Sequence, residues 1–320
     1  MAPSVTLDLR LVAIRRVAQD INLFEFRDDA GAVLPEFTPG AHIDIHLPNG
    51  IMRQYSLAMA SDDRQSYVVG VKLDAASRGG SRFMHEELRV GTVLKIGVPR
   101  NNFPLAEDAA GSVFFAGGIG ITPIFAMAAQ LSRKRQPWKL HYAVRKRSEA
   151  AFLKELIALE GGSVNLHVDE EAAGHFLDVA GLVASEPGEP HFYCCGPAPM
   201  LQSYMATTSA LPRHRVHYES FGALPETAEE PRGGYWVELA KSGRRIEVPK
   251  GQTIIQAMRA AGLDPMVSCE QGHCGSCEAR VLSGCVEHRD IILSDEERRS
   301  GQVMMLCVSH CTSETLVLDL

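Results

Sequence analysis

Four cysteines near the C-terminus constrain this chain more than any other feature. Cys269-Glu270-Gln271-Gly272-His273-Cys274-Gly275-Ser276-Cys277 has C-x4-C-x2-C spacing, and Cys307 follows at a distance. Three thiols on one short loop can serve a single metal centre only if the backbone wraps tightly around it. Gly272 and Gly275 permit that wrapping, because glycine accepts positive φ and leaves room for N–H groups to approach sulfur. Structural zinc sites usually come as two C-x-x-C-type pairs, which this spacing does not match. Cys285 and Cys311 fall outside the pattern and read as buried or spare thiols. Cys311 competes with Cys307 for the fourth position, but Cys307 follows the apolar run Val303 to Leu306, which suits a strand end delivering a ligand.

The spacing is that of a plant-type 2Fe–2S centre, which assigns Cys269, Cys274, Cys277 and Cys307 as its ligands. The distribution of thiols agrees. Six of the eight cysteines lie after residue 265 and none lies before Cys194. The N-terminus lacks the basic-then-apolar pattern of an export signal, so the thiols point to metal or redox chemistry in a cytoplasmic protein rather than to disulfides. A net charge of −7 argues against nucleic-acid binding, which needs dense basic patches. The stretch Ser112 to Ser132 is uncharged, yet Gly117, Gly118, Gly120 and Pro123 divide it into strand, turn and helix rather than a membrane span.

At 320 residues the chain accommodates two or three domains. Its first hundred residues are β-rich: Leu7 to Ile14, Ile21 to Phe26, His42 to Leu47, Tyr67 to Val71 and Val93 to Val98 are short apolar or alternating runs between turn signals. A barrel or sandwich is expected there. From Val113 strands alternate with helices: strands at Val113–Ala116, Lys139–Val144, Val164–Val168 and His191–Cys195, helices from Thr122 and over Ala150 to Glu160. That alternation predicts a parallel α/β sheet. Ala223 to Gly234 is rich in Pro, Gly and Glu and reads as a linker. Strands at Tyr235–Leu239 and Arg244–Val248, then a helix over Thr253–Ala261, precede the cysteine loop. The expected domains are 1–105, 106–222 and 235–320, with 223–234 between the last two.

Three segments carry nucleotide chemistry. Arg53-Gln54-Tyr55-Ser56-Leu57 combines a phosphate partner, a stacking ring and a hydroxyl, although its alternation is also that of an ordinary strand. Ser77-Arg78-Gly79-Gly80-Ser81 precedes the helical run Phe83 to Leu88, as a phosphate-binding turn or a simple helix start would. Gly117-Gly118-Ile119-Gly120-Ile121-Thr122-Pro123 follows a strand and opens a helix, with Thr122 as a candidate cap and Pro123 suited to the first position. Its proline replaces the third glycine of the usual dinucleotide fingerprint. Cys194-Cys195-Gly196-Pro197 ends a later strand, with Met200 beyond it.

Together these segments resemble the phthalate dioxygenase reductase family, which includes vanillate demethylase reductases, over essentially the whole chain. The resemblance implies a multidomain fold: an antiparallel flavin β-barrel, a central α/β nicotinamide domain and a C-terminal α+β β-grasp ferredoxin domain. It implies FMN rather than FAD, held by Arg53, Gln54, Tyr55, Ser56, Val71, Lys72, Ser77, Arg78, Gly79, Gly80 and Ser81, with Ser56 at flavin N5. It places the nicotinamide against Gly117, Gly118, Gly120, Thr122, Pro123, Cys195, Gly196, Pro197 and Met200. Glu219, Ser220 and Phe221 close that domain, with Phe221 covering the flavin until nicotinamide displaces it; without the resemblance Phe221 reads as core. Ser56, Cys195 and Phe221 are thus the expected catalytic group. NADH is the expected donor, although Arg145-Lys146-Arg147 could hold the 2′-phosphate of NADPH. The implied partner is a Rieske-type terminal oxygenase; a haem oxygenase as acceptor, or a cluster-based redox sensor, are the alternatives.

Overall fold

An open sheet of short strands leaves two unpaired edges, and closing it removes both. The computed structural model describes residues 5–60, 64–75, 77, 79–221, 234–263, 265, 267, 270, 272, 275–290, 292–293 and 295–320. Its first six strands are β1 (Thr6–Ala18), β2 (Ile21–Arg27), β3 (His42–His46), β4 (Met52–Ala60), β5 (Ser66–Lys72) and β6 (Val93–Gly97), with helix α1 (Gly80–Glu86) before β6. They form a closed antiparallel barrel in the order β1-β2-β5-β4-β3-β6. Leu9, Leu11, Phe24, Phe26, Ile43, Ile45, Val69 and Ile96 fill it.

The next segment is a five-stranded parallel sheet. Its elements are β7 (Ser112–Gly117), α2 (Ile121–Arg133), β8 (Trp138–Val144), α3 (Leu153–Ala158), β9 (Gly162–Val168), α4 (Val179–Ser185), β10 (His191–Cys195), α5 (Ala198–Thr208) and β11 (Val216–Glu219). The strand order is β11-β10-β7-β8-β9. Helix α2 explains the uncharged stretch: one apolar cluster joins Ile121, Ile124 and Met127 to Phe114 and Tyr142 of the sheet and to Ile21, Leu23 and Ala58 of the barrel. A helix apolar on nearly all sides is a buried one. Barrel and parallel sheet thus share one core within the compact unit Ser4–Phe221.

A second unit holds β12 (Tyr235–Leu239), β13 (Arg244–Val248), α6 (Ile254–Ala260), β14 (Glu278–Ser283), β15 (Val286–Glu287), α7 (Asp295–Ser300), β16 (Val303–Met305), β17 (His310–Cys311) and β18 (Thr315–Leu318). Its main sheet has the order β13-β12-β18-β14-β16, with the first and last strands of the segment, β12 and β18, paired in parallel at its middle. This is the β-grasp arrangement. Thr253 and Gln256 form a reciprocal capping box that starts α6. Among the described residues no helix is long and apolar enough to cross a membrane.

The expected elements are found with local corrections. The helix expected over Ala150 to Glu160 is only Leu153–Ala158, because Phe152 just before it is left-handed at φ 59°. The run Phe83 to Leu88 belongs to a helix that starts earlier, at Gly80. Thr122 is not a cap: the helix begins one residue before it, and its hydroxyl donates to the Ile119 carbonyl at 3.0 Å, while Pro123 sits within the first turn. The linker expected at 223–234 lies almost wholly outside the described residues.

One close approach aligns the ends of β7 and β10. Gly120 has φ −60°, which any residue adopts, yet a Cβ there would stand 2.1 Å from the Cys195 carbonyl oxygen. The requirement is therefore space and not backbone freedom. Gly120→Ala is expected to lower the urea midpoint of this unit, costing about 1–3 kcal/mol as overpacking does. Gly111→Ala, where an added Cβ meets nothing within 4 Å, is the control and should stay within about 0.5 kcal/mol of wild type.

Candidate active site

In an open α/β sheet, ligands bind beyond the carboxyl ends of the strands at the point where strand order reverses. Here the chain runs outward from β7 to β8 and β9, then returns to the other side of β7 with β10 and β11. The reversal lies between β7 and β10, and both glycine-bearing turns sit there. A Cβ on Gly117 would meet Pro197 Cδ at 2.4 Å and Met200 Sδ at 3.1 Å, and one on Gly196 would meet Met200 Sδ at 2.7 Å. The structure therefore brings Gly117 and Gly120 against Cys195, Gly196, Pro197 and Met200, while Gly118, left-handed at φ 54°, faces open space. Tyr142 donates its hydroxyl to the Gly118 carbonyl at 3.3 Å from the neighbouring strand.

The barrel meets this crevice along β4 and β5. A Cβ on Gly70 would lie 2.7 Å from Thr122 Cγ2, so β5 rests directly on the start of α2. On β4, Ser56 is buried and its hydroxyl donates to Glu219 Oε2 at 3.4 Å, across 163 residues of sequence. Glu219 in turn is paired in register with Cys195 across β10 and β11. Ser56, Glu219 and Cys195 thus form one constellation drawn from the barrel and from two strand ends. Burial, against which the Ser56 hydrogen bond pulls weakly, raises the Glu219 carboxyl to about 8. The residue as a whole keeps partial solvent access, but its carboxyl is enclosed by protein, and that enclosure governs its proton affinity. The Cys195 thiol is pushed well above its ordinary value by burial first, and then by the charge of Glu219. It is a neutral contact group and not a nucleophile. Ser220 is buried, whereas Phe221 is 41 % exposed and so not a core residue.

The flavin-type motifs also converge. Gly79 is left-handed at φ 92° and a Cβ on Gly80 would stand 2.7 Å from Arg53 Cγ, so the start of α1 packs on the arginine of β4. Arg53 donates to its neighbour's carbonyl, Met52, at 2.8 Å. Ser77 accepts from the Arg82 N–H at 3.3 Å and from the Ser81 hydroxyl at 2.9 Å, which ties the turn to the helix start. Beside it, the Tyr55 hydroxyl is raised to about 12 by burial, against the pull of Arg53. Gln54 pairs with Asp44 of β3, in the wall of the barrel. Two expected contacts are turned elsewhere: Val71 is in the barrel core, and Lys72 forms a 2.7 Å ion pair with Glu149, beyond β8. Glu149 and Gly70 carried no local signal, because each acts through a partner on a distant segment. Arg78 lies outside the described residues.

In the second unit β14 pairs with β16 so that Glu278 faces Met305, and the Leu306 N–H donates to the Cys277 carbonyl at 3.1 Å. Cys277 and Cys307 therefore leave the same end of one strand pair, and both are buried. The loop that leads into Cys277 has, among its described residues, three that are left-handed, Glu270, Gly272 and Gly275, at φ 55°, 73° and 73°. A Cβ on Gly272 would meet Val308 Cγ2 at 2.6 Å, which presses the loop against the neighbour of Cys307. The tight winding and these two buried thiols fit a 2Fe–2S cluster. Cys269 and Cys274 lie outside the described residues. Cys311 is committed elsewhere: it sits on β17 and its thiol donates to the Ser313 carbonyl at 3.2 Å. Cys285, read as buried or spare, is exposed.

Comparisons with known proteins agree with this layout. The 2Fe-2S iron-sulfur cluster binding domain family matches residues 237–312. Tetrachlorobenzoquinone reductase of Sphingobium chlorophenolicum is 48 % identical over 99 % of both chains. Vanillate O-demethylase oxidoreductase of a Pseudomonas strain is 41 % identical, covering 98 % of this chain and 100 % of that one. The solved phthalate dioxygenase reductase, described as a modular structure for electron transfer from pyridine nucleotides to [2Fe-2S], is 37 % identical with a TM-score of 0.72 over 98 % of each chain.

The chain belongs to the phthalate dioxygenase reductase family.

As a member of that family it is an oxidoreductase that uses FMN, a pyridine nucleotide and a 2Fe–2S cluster. The Gly79–Gly80 turn packed on Arg53 suits a flavin that ends in a single phosphate, and Ser56 and Glu219 suit the polar edge of its ring. In this reductase the titration of Glu219 is a stability term with a defined sign. Its folded value lies above its ordinary 4.5, so its contribution is complete below that value and is lost as pH rises towards 8. Glu219→Gln removes the term. The melting temperature of wild type minus that of the variant is expected to fall steadily between pH 5 and pH 8, and a flat difference across that window would place the carboxyl in an ordinary environment.

Proposed function

We propose that this reductase is the electron-supplying component of a two-component Rieske-type oxygenase, in the cytoplasm. Domains are assigned at 1–105 for the flavin, 106–222 for the nicotinamide and 235–320 for the cluster, joined by 223–234. The reading rests above all on the convergence of Ser56, Glu219 and Cys195 with both glycine turns at one crevice. Held by Arg53, Ser77, Gly79, Gly80 and Ser81, FMN would supply a carrier that accepts two electrons from a nicotinamide as hydride and releases them one at a time, as a one-electron cluster requires.

The chain's own residues have separable tasks. The Gly117–Gly120 turn admits the pyrophosphate to the backbone, and Cys195, Gly196 and Pro197 hold the nicotinamide ring over the crevice. Ser56 directs a hydroxyl to the reacting edge of the flavin, and Glu219 orients that hydroxyl. Glu219 retains its proton at neutral pH and so adds no negative charge where hydride arrives. Phe221, exposed at the end of the unit, covers the flavin until nicotinamide takes its place. Cys269, Cys274, Cys277 and Cys307 hold the cluster.

Support for the acceptor comes from relatives. One is named phenoxybenzoate dioxygenase subunit beta, at 46 % identity over the whole of this chain. Another is named as the reductase subunit of a 3-chlorobenzoate-3,4-dioxygenase, at 37 % identity. A second reading has its own observation: a self-sufficient cytochrome P450 monooxygenase matches 99 % of this chain with a TM-score of 0.86 over 41 % of its own length. The same chemistry then serves a haem acceptor.

Anaerobic titration with NADH, followed by visible absorbance, is expected to bleach both flavin and iron–sulfur bands and to consume about three electrons per chain. Bleaching of a flavin alone in fully reconstituted protein would remove the cluster from the scheme. Cys307→Ser is expected to abolish the cluster absorbance and Cys311→Ser to keep it; the reverse pattern would exchange their assignments.

A further inference from the structure

Asp290 is enclosed in the second unit, 2 % exposed, and the electron-transfer scheme gives it no task. A carboxylate out of water is costly unless its oxygens are hydrogen-bonded, so the partners it finds show what it holds. Oδ2 accepts from the Leu293 N–H at 2.9 Å and Oδ1 from the Ser309 hydroxyl at 3.3 Å. Arg298 donates to the Asp290 carbonyl, and its Nη2 lies 3.6 Å from Oδ2. His288 Nδ1 lies 3.5 Å from Oδ1.

Two of its contacts lead to the cluster cysteines. Ser309 is fully buried, and its hydroxyl also accepts from the Arg289 N–H at 3.2 Å. The Ser309 N–H donates to the Met305 carbonyl at 3.0 Å, which closes a turn from Met305 to Ser309 with Cys307 at its centre. The second contact is with the cysteine loop. A Cβ on Gly272 would stand 3.0 Å from Asp290 Cα as well as 2.6 Å from Val308 Cγ2. Asp290 therefore packs its backbone on the loop between Cys269 and Cys274, and ties its carboxylate to the turn that presents Cys307. Ligand orientation and enclosure of the sulfurs both tune an iron–sulfur centre, and this one residue bears on both.

We propose that Asp290 is a positioning residue for the 2Fe–2S cluster: through Ser309 it holds the Cys307 turn against the cysteine loop, and so sets the potential at which the cluster takes up an electron. The inference rests on the cluster reading of the second unit and deepens it.

The test uses the full reconstituted holoprotein. It reads the cluster's reduction potential and the g values of the reduced cluster by electron paramagnetic resonance, beside the melting temperature. Asp290→Ala and Ser309→Ala cut the same link from its two sides. Each is expected to loosen the wrap, admit water that stabilises the added negative charge, and raise the potential. The expected size is roughly tenfold in the ratio of reduced to oxidised cluster at a fixed applied potential, about 59 mV for one electron. The double variant should show little more than either single one, because residues that act through one link are not additive. Asp290→Asn keeps both links, its amide oxygen accepting from Leu293 and its amide N–H donating to Ser309 Oγ, and should stay nearer wild type than Asp290→Ala. Glu287→Gln removes a 41 % exposed carboxylate from the same segment and should leave the potential unchanged. Lower melting temperatures with wild-type potentials and g values in Asp290→Ala and Ser309→Ala would overturn the inference. So would a Glu287→Gln shift as large as that of Asp290→Ala, which would trace the effect to net charge. If Asp290→Ala does not fold, Ser309→Ala decides by the same criteria. A wild-type protein without cluster absorbance after reconstitution would overturn the cluster reading itself, and this inference with it.

Discussion

Everything at the crevice depends on how closely the turns after β7 and β10 approach each other. An added methyl group on Gly120 would intrude to 2.1 Å on the Cys195 carbonyl, and one on Gly117 to 2.4 Å on Pro197. Packed at that distance, the two turns leave no room for a side chain between them. The same contact fixes the position of Cys195, and through the register of β10 with β11 it fixes Glu219. Relaxing it would shift the glycine turn after β7 and the Glu219 carboxyl together.

The Ser56–Glu219 hydrogen bond spans the other gap, from barrel to parallel sheet. A carboxyl enclosed in this way holds its proton at neutral pH, so the site offers hydrogen-bonding groups without a buried negative charge. The shared core beneath it, with α2 packed between the barrel strands and the sheet, gives that geometry a rigid base. Beyond β8 and β9, at the edge of the same sheet, the two turns are joined by the ion pairs Lys146–Glu170 and Arg147–Glu171.

The cysteine loop follows a different logic. Its left-handed residues wind the chain tightly, and the β14–β16 ladder sets Cys277 and Cys307 at the same end of a strand pair. Glu270 is left-handed without being a glycine, and its carboxylate is held by Arg259 at 2.9 Å. Local strain of this kind persists where surrounding structure over-determines the conformation, as a loop built around a rigid cluster requires.

Much was legible from sequence because its cause is local. Cysteine spacing, the glycines at tight turns, the alternation of barrel strands and the alternation of strand with helix each follow from a few neighbouring residues. The strands at Tyr235–Leu239 and Arg244–Val248 match the expectation residue for residue, since hairpin and alternation are read over a dozen positions. Helix starts were less legible. Thr122 has the chemistry of a cap, but packing of α2 against the sheet starts the helix earlier. What only the tertiary structure decided involves partners far apart in the chain: Ser56 with Glu219, Lys72 with Glu149, Gly70 with Thr122, and Lys146 and Arg147 with Glu170 and Glu171. The amino-acid sequence determined which chemical groups this protein possesses and the local turns that carry them. Which groups face each other was left to long-range packing, because the energy of a contact depends on distance in space and leaves no mark on the residues between.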